Sequence, residues 1–429
     1  MTIAIMTILL MILVFLGVPI TWSLGFTGFV GLLILGSNPL TLIPQSIYNG
    51  VVYFPLLAIP FYIFAGEIMN KGGITKKLVD LSSLIVGRVQ GSLAYVNILC
   101  SMFFGGITGS AVADTSSIGS MLIPAMKTQG YKEDEAVAVT VSSSIMGPII
   151  PPSIIMVIYG SIMSINIGAL FMGGIIPGIL IGVALAIVVA IRNRMQHFPV
   201  RTEKYTPAER KSILLNALIP LGMPIVIMGG ILGGIFTATE AGCVAVIYSF
   251  IVSVFVLKTV KLKELRGMLL STAKTTGTVL IIIGCSKTLS WSLTLLQVQQ
   301  SLTYFFSTTI SSSIVFLIVV NILYLIIGCF MEPAAALIMF SPLLGPIAVH
   351  YGINPILFGL ISCINLNIGN ATPPLGQCLF VGCKIGQLSL GRVAKSIMPY
   401  LAAEIAVLLL VTYIPDISLI LPRIAGLTS

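Results

Sequence analysis

Charge is scarce in this chain of 429 residues: 22 Lys and Arg and 13 Asp and Glu make up only 8% of it. A water-soluble protein of this size covers itself with roughly 25% charged residues, so most of this surface faces something other than water. Histidine is scarcer still, with His197 and His350 far apart and neither inside an apolar segment. An intramembrane protease would need a nucleophile–base pair or paired aspartates within the membrane. Asp114 stands alone as an aspartate among the apolar segments, which argues against that class. Cys100, Cys243, Cys285, Cys329, Cys363, Cys378 and Cys383 show no CxxC spacing and fall mostly in apolar stretches. They read as small buried hydrophobes, not as disulfides or metal ligands. No basic region precedes the apolar stretch that begins at Ile3, so that stretch reads as a retained membrane helix.

What is present is apolar: 57% hydrophobic residues and a mean hydropathy of +1.10. Runs such as 179–191 and 213–231 approach the roughly 20 residues that span a bilayer. The positive charges sit in short clusters between such runs: Lys71, Lys76, Lys77 and Arg88; Arg192, Arg194, Arg201, Lys204, Arg210 and Lys211; Lys258, Lys261, Lys263 and Arg266; Lys384, Arg392 and Lys395. The positive-inside rule places such clusters in cytoplasmic loops, and nucleic-acid binding is not the reading.

The chain also repeats itself. Shifted by 222 residues, Gly106 meets Gly328, Gly130 meets Gly352, Gly147 meets Gly369 and Gly160 meets Gly382. Pro124 meets Pro346, Pro151-Pro152 meets Pro373-Pro374, and Pro177 meets Pro399. About one Gly–Gly match and a fraction of a Pro–Pro match are expected by chance. The matched residues control backbone geometry, which an inherited fold retains. The basic clusters put equivalent positions on opposite sides: the helix over about 53–70 ends at Lys71, Lys76 and Lys77, inside, whereas its counterpart over about 268–290 ends beside the uncharged stretch 297–312. The repeats are therefore inverted.

An all-α polytopic membrane protein follows, with five crossings per half, one of them broken, and a re-entrant hairpin in each half at about 92–126 and 314–348. Gly17-Val18-Pro19 is the turn that divides residues 3–35 into two helices. Scaffold helices occupy 1–70 and 213–296. Amphipathic arms lie along the interface at 71–90 and 297–312. The hairpins, broken helices and final helices fill 91–192 and 313–429, with a cytoplasmic linker at 193–212 and both termini outside.

Irregular backbone at membrane depth is tolerated only where it lines a cavity or packs within protein. It is expected at the tip Phe104 to Ala111, at Ser142 to Ser153, at Ile327 to Pro333 and at Asn365 to Pro374. Broken helices at a repeat interface point to a transporter's binding site. Freed carbonyls and hydroxyls suit a monovalent cation, and half-helix N-termini suit an anion. Glu67, Asp114, Glu240, Lys274, Lys287 and Glu332 lie within apolar segments, where charge is costly. Asp114 and Glu332 flank the two tips, and with Glu240 they are the groups that could titrate.

At Gly106-Ile107-Thr108-Gly109-Ser110-Ala111-Val112-Ala113-Asp114-Thr115, at Ile118 to Met126, at Pro151-Pro152-Ser153, at Gly234 to Ala241 and at Gly369-Asn370-Ala371-Thr372-Pro373-Pro374-Leu375-Gly376, the sequence resembles the DctM-like large permease of tripartite ATP-independent periplasmic (TRAP) transporters. Ala238 stands where that family often has Pro, and Glu332 where an Asp is more familiar. The resemblance covers nearly the whole chain. It implies an elevator-type, sodium-driven transporter of the bacterial inner membrane that imports an organic acid, of sialic acid or dicarboxylate type, without ATP. It implies a small four-helix membrane subunit and a periplasmic substrate-binding protein as partners. It implies about two Na+ sites, one at Gly106, Thr108, Gly109, Ser110, Ser144 and Gly147, the other at Gly328, Glu332, Gly369 and Thr372. Ser110, Thr115, Pro151, Asn367, Asn370 and Pro373 are the candidate substrate contacts. The competing reading is a self-sufficient sodium- or proton-coupled anion symporter of related fold.

Overall fold

The structure, a computed structural model, describes residues 2–36, 42–200, 205–310 and 312–427. Arg201 and Lys204 of the linker and the last residues of the chain lie outside it. The first half comprises α1 (Thr2–Phe15), α2 (Ile20–Leu35), α3 (Leu42–Val51), α4 (Ala58–Lys71), α5 (Ile74–Val86), α6 (Ser92–Thr108), α7 (Ala111–Thr128), α8 (Glu133–Ser144), α9 (Ile154–Met163) and α10 (Ile167–Gln196). The second comprises α11 (Pro207–Leu232), α12 (Ala238–Phe250), α13 (Leu262–Leu295), α14 (Val298–Thr309), α15 (Ser313–Phe330), α16 (Pro333–His350), α17 (Pro355–Ala371), α18 (Gln377–Gly386), α19 (Leu390–Tyr413) and α20 (Asp416–Ile424). Local signals account for several boundaries. Gly17, at φ +76°, turns α1 into α2. Capping boxes at Thr206/Glu209 and Thr237/Glu240 start α11 and α12.

The inversion is visible in how repeat-related elements meet. At the 222-residue shift, α13 corresponds to α3 and α4 together, and the two lie side by side running in opposite directions. Gly50 touches Lys287, Ser271 donates to Glu67 at 2.9 Å, and Thr259 donates to the Gly72 carbonyl at 3.0 Å. The hairpins exchange contacts in the same way. Gly119 of α7 packs on Ile385 of α18, and Gly345 of α16 packs on Met163 of α9. Each hairpin thus rests on the broken helix of the other half.

Four differences from the sequence reading have local causes. First, the helix expected at 53–70 begins earlier, at Leu42, and bends by 58° between α3 and α4, while α13 runs straight over 34 residues. Pro55 disfavours helical backbone at Phe54, and its counterpart in α13 is Gly277. Second, the second break is shorter than expected: Asn365 to Ala371 stay helical and only Thr372 to Gly376 unwind, because this half has no counterpart of Pro148. Third, α20 was not anticipated; it follows Pro415 and packs against α10. Fourth, seven described helices are long and apolar enough to cross a membrane, or eight with the bent pair counted as one span. The expectation of ten crossings includes α1 and α2, of 14 and 16 residues, and two broken helices whose pieces are each too short alone. The hairpin arms α15 and α16, at 18 residues each, pass the length test instead.

Candidate functional site

Both tips meet the breaks through glycine. Gly109, at φ +58°, ends α6, and a Cβ on it would lie 2.8 Å from the Pro152 carbonyl oxygen. Its neighbour Ser110 caps α7, accepting from Ala113 N–H at 3.4 Å. A Cβ on Gly105 would lie 3.0 Å from Gly147 Cα, and one on Gly147 would lie 3.4 Å from the Ser110 carbonyl. In the second half a Cβ on Gly369 would lie 2.6 Å from Gly328 Cα. Backbone therefore touches backbone at both tips; the carbonyl oxygens of Ser110, Met146, Gly147 and Pro152 gather at the first, and that of Leu366 lies at the second.

The first break is held by side chains. Ser144 donates to the Thr140 carbonyl at 2.7 Å, and Ser153 donates to the Pro148 carbonyl while accepting from Met156 N–H at 3.3 Å to start α9. Ser153→Ala removes a cap and leaves the Pro148 carbonyl without that donor. It is expected to lower stability by about 1–2 kcal/mol, measured as the thermal unfolding midpoint in detergent; an unchanged midpoint would count against the bond. Asp114, fully buried, lies 3.3 Å from the Ser101 hydroxyl, whose single proton is shared between it and Ser143 Oγ at 3.0 Å. Ser143 then donates to Asn97 at 3.1 Å, and Asn97 donates to Thr140 at 2.6 Å. The chain of bonds ties the first hairpin to α8.

Between these parts and the scaffold helices α4 and α13 lies a cavity of about 430 Å³. It is bordered by the first turns of four helices: Ala111 to Ala113 of α7, Ile154 and Ile155 of α9, Pro333 and Ala334 of α16, and Gln377 of α18. Each N-terminus directs the positive end of a helix dipole at the cavity, which favours an anion, while Ser110, Ser153 and Asn370 already accept from Ala113, Met156 and Gln377 N–H and Pro333 has no N–H. Neutral oxygens and amides from Thr108, Ser110, Asn367 and Asn370 join them on the wall. Glu332 stands at the N-cap position of α16 and is exposed towards the cavity.

Of the residues singled out from sequence, Glu67, Thr108, Gly109, Ser110, Glu332, Asn367 and Asn370 line this cavity. Gly147, Gly328 and Gly369 form the tip contacts behind it, with Ser144 close by. Gly106 lies beside them, facing the Pro151 carbonyl and Pro224, and Gly105 takes the place against Gly147. Thr372, Pro151 and Pro373 belong to the breaks and do not border the cavity; Thr372 donates to the Ile368 carbonyl at 2.7 Å. Thr115 is buried, donates to the Ala111 carbonyl at 2.9 Å and faces Gly382 of α18 instead. Glu240 is an exposed helix cap, away from the cavity. Sequence reasoning missed Asn70, Thr275 and Gln377 on the wall. Asn70 could have been found three residues after Glu67, on the same face of α4.

The DctM component of tripartite ATP-independent periplasmic transporters matches residues 7–417. The chain is 38% identical over 416 residues to the uncharacterized protein YgiK of Salmonella typhimurium, covering 96% of this chain and 95% of the relative. It is 34% identical over 412 residues to the sialic acid TRAP transporter large permease SiaM of Vibrio cholerae, covering 96% of each. With the C4-dicarboxylate TRAP transporter large permease DctM of Pseudomonas aeruginosa it shares 35% over 410 residues, covering 95% of each. Among solved structures, the Alcanivorax borkumensis YdaH transporter superposes with a TM-score of 0.61 at 13% identity, covering 91% of this chain and 89% of that one. At that identity the likeness is one of fold.

Proposed function

The chain belongs to the DctM component family of tripartite ATP-independent periplasmic transporters, and from that premise we propose that it is a large permease subunit that imports an organic acid of sialic acid or C4-dicarboxylate type, driven by sodium. The convergence of four helix N-termini on one cavity carries this reading. Their dipole fields attract a carboxylate, and the N–H groups that the caps leave free, with the amides of Asn367 and Asn370, replace part of its water. The glycine contacts where tip meets break bring carbonyl oxygens together behind the cavity, and hydroxyls stand beside them. Neutral hard oxygens of this kind suit Na+. Gly106, Thr108, Gly109, Ser110, Ser144 and Gly147 would serve one ion, and Gly328, Glu332, Gly369 and Thr372 the other.

The hairpins and broken helices interlock across the two halves, and the cavity lies between them and α4 and α13, with α4 meeting them where Gly66 packs on Thr108 and Ser117 donates to Asn70 at 2.9 Å. In an elevator motion the interlocked unit carries its cavity along that seam. The basic segments next to α4 and α13 face the cytoplasm of a bacterial inner membrane in this reading, with both termini on the periplasmic side. A small membrane subunit covers part of the apolar scaffold face, and a periplasmic protein delivers the acid.

Uptake into proteoliposomes tests the whole reading. The chain, its small subunit and a binding protein, under an inward sodium gradient, are expected to accumulate succinate or N-acetylneuraminate. Removal of either sodium or the binding protein is expected to stop uptake. Uptake without the binding protein, or driven by a proton gradient alone, would replace this reading with a self-sufficient symporter.

A further inference from the structure

Lys287 is a cation in an apolar helix, and neither the cavity nor its rim uses it. Its stem is held against α3: a Cβ on Gly50 would lie 2.8 Å from Lys287 Cγ, and Gly284, one turn earlier, sits against the Ile47 carbonyl. The side chain borders a crevice of about 90 Å³ whose polar wall comes from Asn49, Tyr53, Ser161 and Ser164. Among the described residues no acidic side chain lines this crevice and none forms an ion pair with Lys287. Ser161 is 6% exposed, and its hydroxyl has no hydrogen-bond partner among the described residues. A fixed positive charge and an unused buried hydroxyl thus share one crevice without a counter-ion.

The crevice continues the seam that contains the cavity. On α13, Thr275 and Val279 line the cavity, and Ile283 and Lys287 line the crevice, a stripe at every fourth residue. On α9, Ile154 and Ile158 line the cavity, and Ile162 lines the crevice. At 1.5 Å per residue, Lys287 stands roughly 18 Å beyond Thr275, away from the basic start of α13.

We propose that this crevice is a second, outer anion subsite, in which the Lys287 ammonium takes the carboxylate of an organic acid before the acid reaches the cavity. The crevice admits a carboxylate group, not a whole sugar acid, so it engages one end of the ligand. It rests on the reading that an organic acid moves along this seam. When the interlocked unit stands towards the outer side, Lys287 replaces Thr275 and Val279 as the scaffold wall facing the bound acid.

The test uses the reconstituted complex with succinate and N-acetylneuraminate as probes. Lys287→Met keeps the stem over Gly50 and removes the charge. It is expected to raise the KM for the transported acid about tenfold, as loss of a charged hydrogen bond does, with the maximal rate kept within about twofold. Lys287→Arg is expected to retain most of the affinity. Lys287→Cys guards against misfolding, since the seven native cysteines are buried or half-buried. Its modification with an aminoethyl thiosulfonate is expected to restore a low KM, and modification with a sulfonatoethyl reagent is not. A Lys287→Met KM within twofold of wild type, or equal effects of the two reagents, would overturn the subsite while leaving the transport reading intact. Wild-type uptake of neither acid would overturn both.

Discussion

Gly369→Leu is expected to abolish uptake while the protein still inserts into the membrane. A Cβ on Gly369 would lie 2.6 Å from Gly328 Cα, 2.7 Å from Gly328 C and 3.1 Å from Cys329 N. All three are backbone atoms, so no side chain can rotate out of the way. The reciprocal position is as tight, with a Cβ on Gly328 2.8 Å from the Leu366 carbonyl oxygen. A leucine here must push the second hairpin tip off the second broken helix, opening the contact that gathers the carbonyls. Overpacking of this kind costs about 1–3 kcal/mol in stability, which an otherwise buried helix such as α17 can absorb. Misplacement of a site by about 1 Å can cost roughly a hundredfold in rate, so the functional loss is expected to far exceed the loss of fold. Initial uptake rates, set against membrane yield and a monodisperse elution profile, check this. Wild-type uptake by Gly369→Leu would refute the role given to the contact. Gly147→Ala should be milder, because a Cβ there meets its neighbours at 3.2–3.4 Å.

Arg192→Met is expected to be the most destabilising single change remote from the cavity. Glu135, 1% exposed, opens α8 and receives Arg192 Nε at 2.8 Å and Arg192 Nη2, with Tyr400 donating at 2.5 Å and Gln196 at 3.5 Å. Arg192 and Gln196 come from α10, Tyr400 from α19. Ser396 of α19 reaches the neighbouring Asp134 at 2.5 Å. One carboxylate therefore fastens the first broken helix to the final helices of both halves. Removing only the guanidinium leaves that carboxylate buried and uncompensated, a loss of about 3–5 kcal/mol. Removing both charges with Glu135→Gln and Arg192→Met is expected to cost less than Arg192→Met alone, because no ion is then stranded. Unfolding midpoints of the two variants in one detergent distinguish the cases. A double variant less stable than Arg192→Met would show that the pair is not the source of the loss.

The candidate site divides by how its residues announce themselves. Gly147, Gly369, Pro151-Pro152 and Pro373-Pro374 were legible in the chain because they recur at one spacing and control the backbone, so the breaks could be located before any contact was known. Ser110 and Thr108 followed from the tip, where irregular chain in lipid must line a cavity. Thr275 was not legible: it is one polar residue on a scaffold helix, and only the approach of α13 to the tips puts it on the wall. Thr115 shows the reverse. It lies one residue after Asp114, yet the helical turn points it at α18 and away from the cavity.

Hydropathy, the sparse and clustered charge and the 222-residue repeat were enough to establish a membrane fold of two opposed halves, two hairpins and two breaks. These are properties of local backbone chemistry and of the lipid solvent, and they need no knowledge of which segments touch. Tertiary structure alone decided that each hairpin rests on the other half's broken helix. It also brought four helix N-termini to one cavity, made Gly105 and not Gly106 the partner of Gly147, and left Lys287 beside an unused hydroxyl across the seam. Those juxtapositions join residues far apart in the chain through packing that can be satisfied in more than one way, so no spacing within a single segment encodes them.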